Sequence, residues 1–298
     1  MTERNDNDAA ARRDFLRLSG VGAAVAAGVA ATATLSAQQA AAQAPAGSTL
    51  RTVLNRGKLI VGTGSTNAPW HFEDDKGQIT GMDIAMAKII ANGLFEDESK
   101  VEFVRQDPAS RIPNITSGKV DVVIQFMTIA PARAQLVAYS RPYFVEGLSL
   151  MVVPNSKWKT HAELKAAGKQ VRASVLQNVK AEQTVRDGLA EAQPMQLDTI
   201  ANVIQAVVSG RSDVAVVDNS TLRWLVSRNP DKYIDVGHSW YSILYGAAMR
   251  QGDQDWVNFV NTCFDVQMFG HLTSIYDKAL KDFFGLEPPV RKPGVPTI

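Results

Sequence analysis

The sequence predicts an α/β protein of two lobes that face each other across a cleft. The segment Ser117-Gly118-Lys119-Val120-Asp121 recurs as Ser209-Gly210-Arg211-Ser212-Asp213, and an apolar, β-branched stretch follows each copy. Each copy is typical of a helix that ends at Gly and connects through a basic residue and an Asp to a strand. Ligands of open α/β sheets collect beyond the carboxyl ends of such strands, so two copies favour two lobes around one ligand. The alternative is that the two segments are similar by chance, because Gly-basic-x-Asp is an ordinary helix-to-strand connection.

Residues 1–44 are predicted to be a Tat-type export signal that is removed. Arg12-Arg13-Asp14-Phe15-Leu16-Arg17 is a twin-arginine pattern, and an Ala/Gly-rich stretch and small residues around 37–44 follow it. A retained membrane anchor is the alternative, but Ala and Gly contribute little to insertion and the stretch is short. Pro45 disfavours cleavage directly after Ala44, so the cleavage position stays open.

The composition excludes several classes of protein. Cys263 is the only cysteine, which rules out an intrachain disulfide and a lipid-modified cysteine at the mature N-terminus. The formal net charge is +1, which gives no sign of binding to nucleic acid or to an anionic membrane surface. The four histidines are scattered without metal-site or triad spacing, and no glycine-rich nucleotide loop is present. We therefore expect a periplasmic monomer with no cofactor, no metal and no catalytic residue.

The first lobe is predicted to begin with alternating strands and helices. Residues 58–62 and 101–104 form short apolar strands, and residues 81–94 have the apolar periodicity of a helix. A helix over residues 110–117 leads into the first repeat, whose strand covers residues 121–125. Pro131 then opens a further helix, because Pro is favoured in the first turn.

The chain is predicted to cross twice between the lobes. Residues 148–154 form a strand that enters the second lobe, which contains a strand at 171–174, helices at 181–189 and 199–209, and the second repeat strand. Residues 240–249 return to the first lobe, where a polar helix at 253–270 and an aromatic-rich end follow. Lobe 1 then comprises residues 50–147 and 244–288, lobe 2 residues 148–243, and a C-terminal tail residues 289–298. A discontinuous first lobe suits hinge closure over a ligand.

Arg133 and Asp218 are the residues best suited to hold a zwitterionic amino acid. Arg presents parallel N–H groups to a carboxylate, and Asp accepts hydrogen bonds from an ammonium. Thr128 and the backbone N–H groups of residues 125–128 supplement both ends. The alternatives are a solvated helix residue for Arg133 and a helix cap for Asp218.

A specific set of segments supports the same interpretation. The segments are Gly62-Thr63, Ala68-Pro69-Trp70, Gly77-x-x-x-Gly81-Met82-Asp83-Ile84, Ile112-Pro113, Ser117-Gly118-Lys119-Val120-Asp121, Met127-Thr128-Ile129-x-Pro131-x-Arg133, Tyr139-Ser140-x-Pro142-Tyr143 and Phe283-Phe284-Gly285. Over residues 55–287 the chain resembles the family 3 periplasmic solute-binding proteins, which serve polar amino acid uptake through ABC transporters. The resemblance implies the α/β, two-lobe periplasmic binding protein fold (type II) with a two-strand hinge and the ligand in the interlobe cleft. It also implies that Arg133 binds the α-carboxylate, that Thr128 assists, and that Asp218 binds the ammonium.

The predicted side-chain pocket departs from that family. Asn67 stands where an aromatic side chain is usual, Pro108 where a bulky group often lies, and an acidic residue frequent near Gly64 is absent. Phe126 replaces a small residue and is expected to project into the pocket, and Trp70 replaces a Phe. Core packing is the alternative for both Phe126 and Trp70.

The second lobe should supply a backbone loop within residues 174–180 that meets the ligand carboxylate. The usual Gly-Thr-Thr or Gly-Ser is missing there, and Gln177-Asn178 is the nearest substitute. The complete set of predicted ligand-binding residues is Arg133, Asp218, Thr128, Phe126, Met127, Asn67, Trp70, Gln177 and Asn178.

The sequence therefore predicts the periplasmic component of an ABC importer, which binds a small amino acid or analogue and delivers it to a membrane permease. One alternative is a cyclohexadienyl dehydratase-like enzyme, for which Glu73 and Glu182 are the candidate acids, although solvation explains both better. A ligand-sensing protein that reports to a receptor is the other. Which amino acid is bound stays open.

Overall fold

The computed structural model of the protein describes residues 47–291. The predicted export signal and residues 292–298 lie outside the described residues. No helix within residues 47–291 has the length and apolar character needed to cross a membrane.

The first sheet contains strands from both sides of the first repeat, which covers residues 117–121. Strand β1 (Leu59–Thr63) pairs in parallel with β5 (Val101–Arg105) and with the central strand β6 (Val122–Val123), and β13 (Ala248–Met249) pairs antiparallel with β6 and β7 (Ala138–Tyr139). β1 is almost wholly buried, as expected of a parallel strand covered on both faces.

The second sheet is formed by β8 (Phe144–Val152), β9 (Arg172–Leu176), β10 (Gln193–Leu197), β11 (Val214–Asp218) and β12 (Ile234–Tyr245). Its strand order is β10-β9-β11-β8-β12. Strands β9, β10 and β11 are parallel, whereas β8 and β12 run antiparallel to their neighbours.

Helices cover both sheets, and a small antiparallel sheet lies beside the first one. Helix α2 (Met82–Phe95) packs closely on helix α9 (Gln254–Met268), since a Cβ at Gly93 of α2 would lie 2.5 Å from Cys263 Sγ of α9. The small sheet is formed by β2 (Thr66–Asn67), β3 (His71–Glu73) and β4 (Ile79–Thr80). The helices are α1 (Thr49–Arg56), α2 (Met82–Phe95), α3 (Arg111–Thr116), α4 (Pro131–Ala134), α5 (His161–Ala167), α6 (Ala181–Gly188), α7 (Ile200–Val208), α8 (Asn219–Arg228), α9 (Gln254–Met268) and α10 (Ser274–Ala279).

Two long strands connect the lobes. β8 leaves the first sheet's lobe and β12 returns to it, and the two pair from Phe144↔Tyr245 to Val152↔Ile234. This is the predicted α/β architecture of two lobes joined by a two-strand hinge. The lobe boundaries at 147/148 and 243/244 fall within these paired strands, and they stay predictions.

The two repeats have the same local structure. Gly118 and Gly210 have φ values of 73° and 74°, the left-handed conformation that ends a helix and favours glycine. The Asp of each copy then exchanges two hydrogen bonds with a neighbouring strand. Asp121 N donates to Ile60 O and its Oδ2 accepts from Ile60 N, and Asp213 bonds Arg172 N and O in the same way. The repeated motif therefore docks one parallel strand beside another in each lobe.

Strand β10 was not expected from the sequence, and the first repeat strand is shorter than expected. Pro194 lowers the strand propensity of β10, but β10 pairs only with β9 at the edge of its sheet, where Pro is tolerated. The predicted helix at 110–117 is a 3₁₀ turn, Pro108–Ser110, followed by α3.

We predict that Asp213→Ala lowers the free energy of unfolding by about 0.5–1.5 kcal/mol, because it removes the acceptor of the solvent-accessible Arg172 N–H. Asp213→Asn keeps an acceptor oxygen and should cost less. Chemical denaturation measures both, with the exposed Asp231→Ala as control. Equal stability of the Asp213→Ala and Asp231→Ala variants would contradict this role.

Candidate functional site

The buried carboxylate of Asp83 organises the floor of the cleft. Asp83 lies in the first turn of α2 and has no solvent exposure. Its Oδ2 accepts hydrogen bonds from the ring Nδ1 of His71 and from Phe126 N, both at 2.8 Å, and its Oδ1 accepts from Tyr143 Oη at 2.8 Å. One carboxylate therefore fixes β3, the loop after β6 and the entry to the hinge.

Phe126 lies in the middle of this floor. Its φ is 36°, an uncommon conformation for a residue with a side chain, and the bond from its N–H to Asp83 holds it there. The ring is 7% exposed and contacts His71, Arg111 and Tyr245. Phe126 also lines the cleft cavity, and its contact with a ligand stays a prediction.

The cleft cavity, of about 200 Å³, lies between the two lobes. Most of its wall comes from the first lobe, and α7 of the second lobe closes it. Its lining residues are Gly64, Ser65, Thr66, Asn67, His71, Arg105, Gln106, Asp107, Pro108, Gln125, Phe126, Thr199 and Ile200. Among the predicted ligand-binding residues, Asn67 and Phe126 line it.

Arg133 and Thr128 lie together beside the floor. Arg133 Nη1 and Tyr139 Oη both donate to Thr128 O, at 3.1 Å. Burial raises the pKa of Tyr139, so its hydroxyl remains a donor at neutral pH. Thr128 also forms an isolated bridge to Tyr245 of β12, which ties this loop to the hinge.

Arg111 is a second guanidinium in this region. It is 6% exposed, and its Nε and Nη1 donate to the backbone oxygens of Pro108 and Gln125. Burial, and then the charge of Arg133, lower the pKa of Arg111 to about 10. The group stays charged at neutral pH, and it forms no ion pair within residues 47–291.

Asp218 ends β11 and precedes α8, at the second lobe's side of the cleft. It is 7% exposed, and its Oδ2 has no hydrogen-bond partner among the described residues. Burial, followed by repulsion from Glu146, raises the pKa of Asp218 well above its ordinary value, and the hydroxyl of Tyr245 and then the charge of Arg111 oppose that rise. The guanidinium charge that acts on Asp218 thus comes from Arg111.

Direct hydrogen bonds join the two lobes behind the cavity. Trp70 Nε1 donates to Ser220 Oγ at 2.9 Å, and Ser220 Oγ donates to Glu146 of the hinge strand. Thr221 Oγ1 donates to Asn67 Oδ1 at 3.1 Å. The first turn of α8 therefore carries the contacts of the closed state.

Four of the predicted ligand-binding residues make contacts with other parts of the protein. Trp70 is fully buried against Phe144 and Tyr245, which is the core packing weighed as its alternative, and Met127 is buried in the first lobe. Gln177 N donates to Leu197 O. Asn178 Oδ1 accepts from Lys180 N at the start of α6. Ligand contact by these four residues stays a prediction.

Arg111, Glu146 and His71 were missed by the sequence analysis. Arg111 follows a proline-led 3₁₀ turn and reads as an exposed helix residue, and Glu146 and His71 stand alone between apolar neighbours. A charged residue inside an apolar strand, as in Val145-Glu146-Gly147-Leu148, is the one signal that could have indicated Glu146.

A fold of two hinged lobes around a polar cleft defines the class of two-lobe solute-binding proteins. A family model of the bacterial extracellular solute-binding proteins, family 3, matches residues 59–282. The chain belongs to this family, and the predicted type II binding-protein fold and solute-binding function are confirmed.

Individual relatives agree with this assignment. The chain is 28% identical over 236 residues to the ABC transporter glutamine-binding protein GlnH of Bacillus subtilis (strain 168), across 78% of this chain and 85% of that protein. It is 28% identical to the L-cystine-binding protein TcyJ of Escherichia coli (strain K12), across 77% and 85%. A solved structure of the ancestral amino acid-binding protein AncCDT-1, a precursor of cyclohexadienyl dehydratase, matches 80% of this chain and 100% of its own with a TM-score of 0.69 and 32% identity.

We predict that Asp218→Asn stabilises the protein at neutral and higher pH in the absence of ligand. A raised carboxyl pKa means that the native state holds a proton that the unfolded chain releases, so this contribution to stability is lost as pH rises from about 3.9 through the raised native pKa. Asn carries no charge and avoids that loss.

Thermal unfolding of both proteins at about pH 5 and about pH 8 checks this expectation. The difference in Tm should favour the variant and grow with pH. A variant that is less stable than the wild type at the higher pH would contradict the burial argument for Asp218.

Proposed function

We propose that this protein is the periplasmic binding component of an ABC importer and captures a small α-amino acid or a close analogue. The twin-arginine segment supports export through the Tat machinery, and the absence of a cysteine near the predicted cleavage site supports a form without lipid. The mature protein acts as a monomer that closes over its ligand and then docks on a membrane permease. Transport is proposed over sensing because the relatives above are named as binding proteins of transporters or of single amino acids.

The unsatisfied Oδ2 of Asp218 is the observation that supports this proposal most. A buried carboxylate oxygen without a donor costs free energy, and a ligand ammonium supplies both the donor and the opposite charge. Arg133, with Thr128, offers the guanidinium for the α-carboxylate. Two charged hydrogen bonds of about 1.5–3 kcal/mol each, plus burial of the side chain, account for much of the roughly 8 kcal/mol of micromolar binding.

The hinge converts this binding into closure. The proposed lobe 2, residues 148–243, moves as a unit against residues 50–147 and 244–288 about strands β8 and β12. The ligand touches both lobes only when they are closed, so it shifts the population toward the closed state that carries the Trp70–Ser220 and Asn67–Thr221 contacts.

A dehydratase is the second candidate function, because one similar structure is a precursor of such an enzyme and Glu146 is a buried acid. Burial raises the pKa of Glu146, as a general acid requires. Its Oε1, however, accepts from Gly147 N and its Oε2 from Ser220 Oγ, so both oxygens are engaged. Glu73 and Glu182 are exposed and pair with Arg105 and Arg186. We therefore propose binding without turnover, and formation of product from prephenate would overturn that choice.

We predict that Arg133→Ala and Asp218→Ala each weaken amino acid binding by about tenfold to a hundredfold or more. Each variant removes one charged hydrogen bond and leaves the ligand's opposite charge buried without a partner. Titration calorimetry with the best ligand from a screen of the amino acids measures the dissociation constants.

Arg186→Ala and Asp231→Ala are matched controls, since both residues are exposed and neither lines the cleft cavity. Undiminished affinity of the Arg133→Ala and Asp218→Ala variants would refute the clamp. A loss that the two control variants share would show a general effect of charge instead.

We predict that ligand binding releases protons. The ammonium of the ligand stabilises the charged form of Asp218, so its raised pKa falls on binding and its proton leaves. Calorimetry at a pH below the raised pKa, in two buffers with different ionisation enthalpies, measures the released protons. A binding enthalpy that is the same in both buffers would contradict this linkage.

A further inference from the structure

The interior of the cleft cavity carries polar groups without net charge. His71 and Gln125 are buried, and Gln106 is half-buried beside them. We propose that this cavity receives the side chain of the bound amino acid and selects one that ends in a carboxamide, with His71, Gln106 and Gln125 as specificity-determining residues. The inference rests on the proposed function, because it takes the ligand to be an amino acid.

His71 presents a hydrogen-bond acceptor to the cavity. Its ring is 2% exposed, and its Nδ1 bonds the Asp83 carboxylate, which can only accept, so Nδ1 carries the proton. In the tautomer with the proton on Nδ1, Nε2 is a hydrogen-bond acceptor on the opposite edge of the ring. That edge packs closely on Gly64, where a Cβ would lie 2.6 Å from Nε2, so the position beside the ring admits only glycine.

Gln106 and Gln125 present hydrogen-bond donors to the same cavity. Gln106 Nε2 donates to Gln125 Oε1, and Gln125 Nε2 donates to Gln106 O. Gln106 Oε1 accepts from Asn114 Nδ2. Both side-chain oxygens are therefore engaged, and each amide nitrogen keeps one N–H for which residues 47–291 provide no acceptor.

Charged groups of the cavity wall lie at its rim. Arg105 is exposed and pairs with Glu73 at 2.7 Å, and Asp107 is exposed. Among the interior lining residues, neither an ammonium nor a carboxylate would have a side chain of opposite charge, and the Arg111 guanidinium behind this wall donates to the backbone oxygens of Pro108 and Gln125. Buried charges without partners are costly, so both are disfavoured.

A carboxamide complements both the hydrogen-bond donors and the acceptor of this interior. Its oxygen accepts from the glutamine N–H groups, and its NH₂ donates to His71 Nε2. Phe126 and Ile200 supply apolar wall for the methylene groups that connect it to the α-carbon. An apolar side chain would fill the space but would leave the polar groups without partners.

The first test is calorimetry of the wild-type protein with each of the twenty amino acids, among which L-glutamine, L-asparagine, L-glutamate, L-lysine and L-methionine give the decisive comparison. We expect one of the two amides to bind at least tenfold more tightly than the glutamate and lysine ligands. Binding of an amino acid with a preference for a charged or apolar side chain overturns this inference and leaves the proposed function intact. No binding of any of the twenty amino acids overturns the proposed function and this inference together.

The second test is His71→Asn, in which the Asn side-chain N–H can still donate to Asp83 while the acceptor at the position of Nε2 is lost. We expect the dissociation constant for the bound amide to rise at least tenfold and that for L-methionine to change less than twofold. His271→Asn, at an exposed position, is the matched control and should change neither. An equal loss of affinity for both ligands would assign His71 a structural role and overturn its part in specificity.

Discussion

The arrangement of the cleft depends on the carboxylate of Asp83. A fully buried charge is costly, and here three donors and the amino end of α2 offset that cost. Those donors come from His71, Phe126 and Tyr143, which belong to segments far apart in the chain. Without this carboxylate the histidine ring, the left-handed turn at Phe126 and the start of the hinge strand would lose their common anchor.

Around this anchor the cleft combines satisfied and unsatisfied polar groups. Glu146 has donors on both oxygens, whereas Asp218 Oδ2 and Asn67 Nδ2 have no partner within residues 47–291. Arg111 is buried with only backbone oxygens as acceptors. Buried groups of this kind destabilise the closed protein, so a ligand that completes their hydrogen bonds stabilises closure. We propose that the same groups provide affinity and couple ligand binding to hinge motion.

The sequence predicted those parts of the structure that depend on local pattern. Apolar periodicity located α2, a short apolar run located β1, and the repeated Ser-Gly-basic-x-Asp segment located equivalent strand connections in both lobes. The roles of His71, Arg111 and Glu146 could not be predicted, because they arise from contacts between segments distant in sequence. β10 was missed for a different reason, since its proline is compatible only with the edge position that the tertiary structure gives it.

We propose that an amino acid is held between the two lobes by Arg133 and Asp218, and a crystal structure of the protein with its tightest-binding amino acid is the decisive experiment. We expect the ligand ammonium within hydrogen-bond distance of Asp218 Oδ2, the α-carboxylate on the Arg133 guanidinium and the side chain directed toward Gln125. A ligand whose ammonium and carboxylate both bind elsewhere, with Asp218 Oδ2 still without a partner, would contradict it.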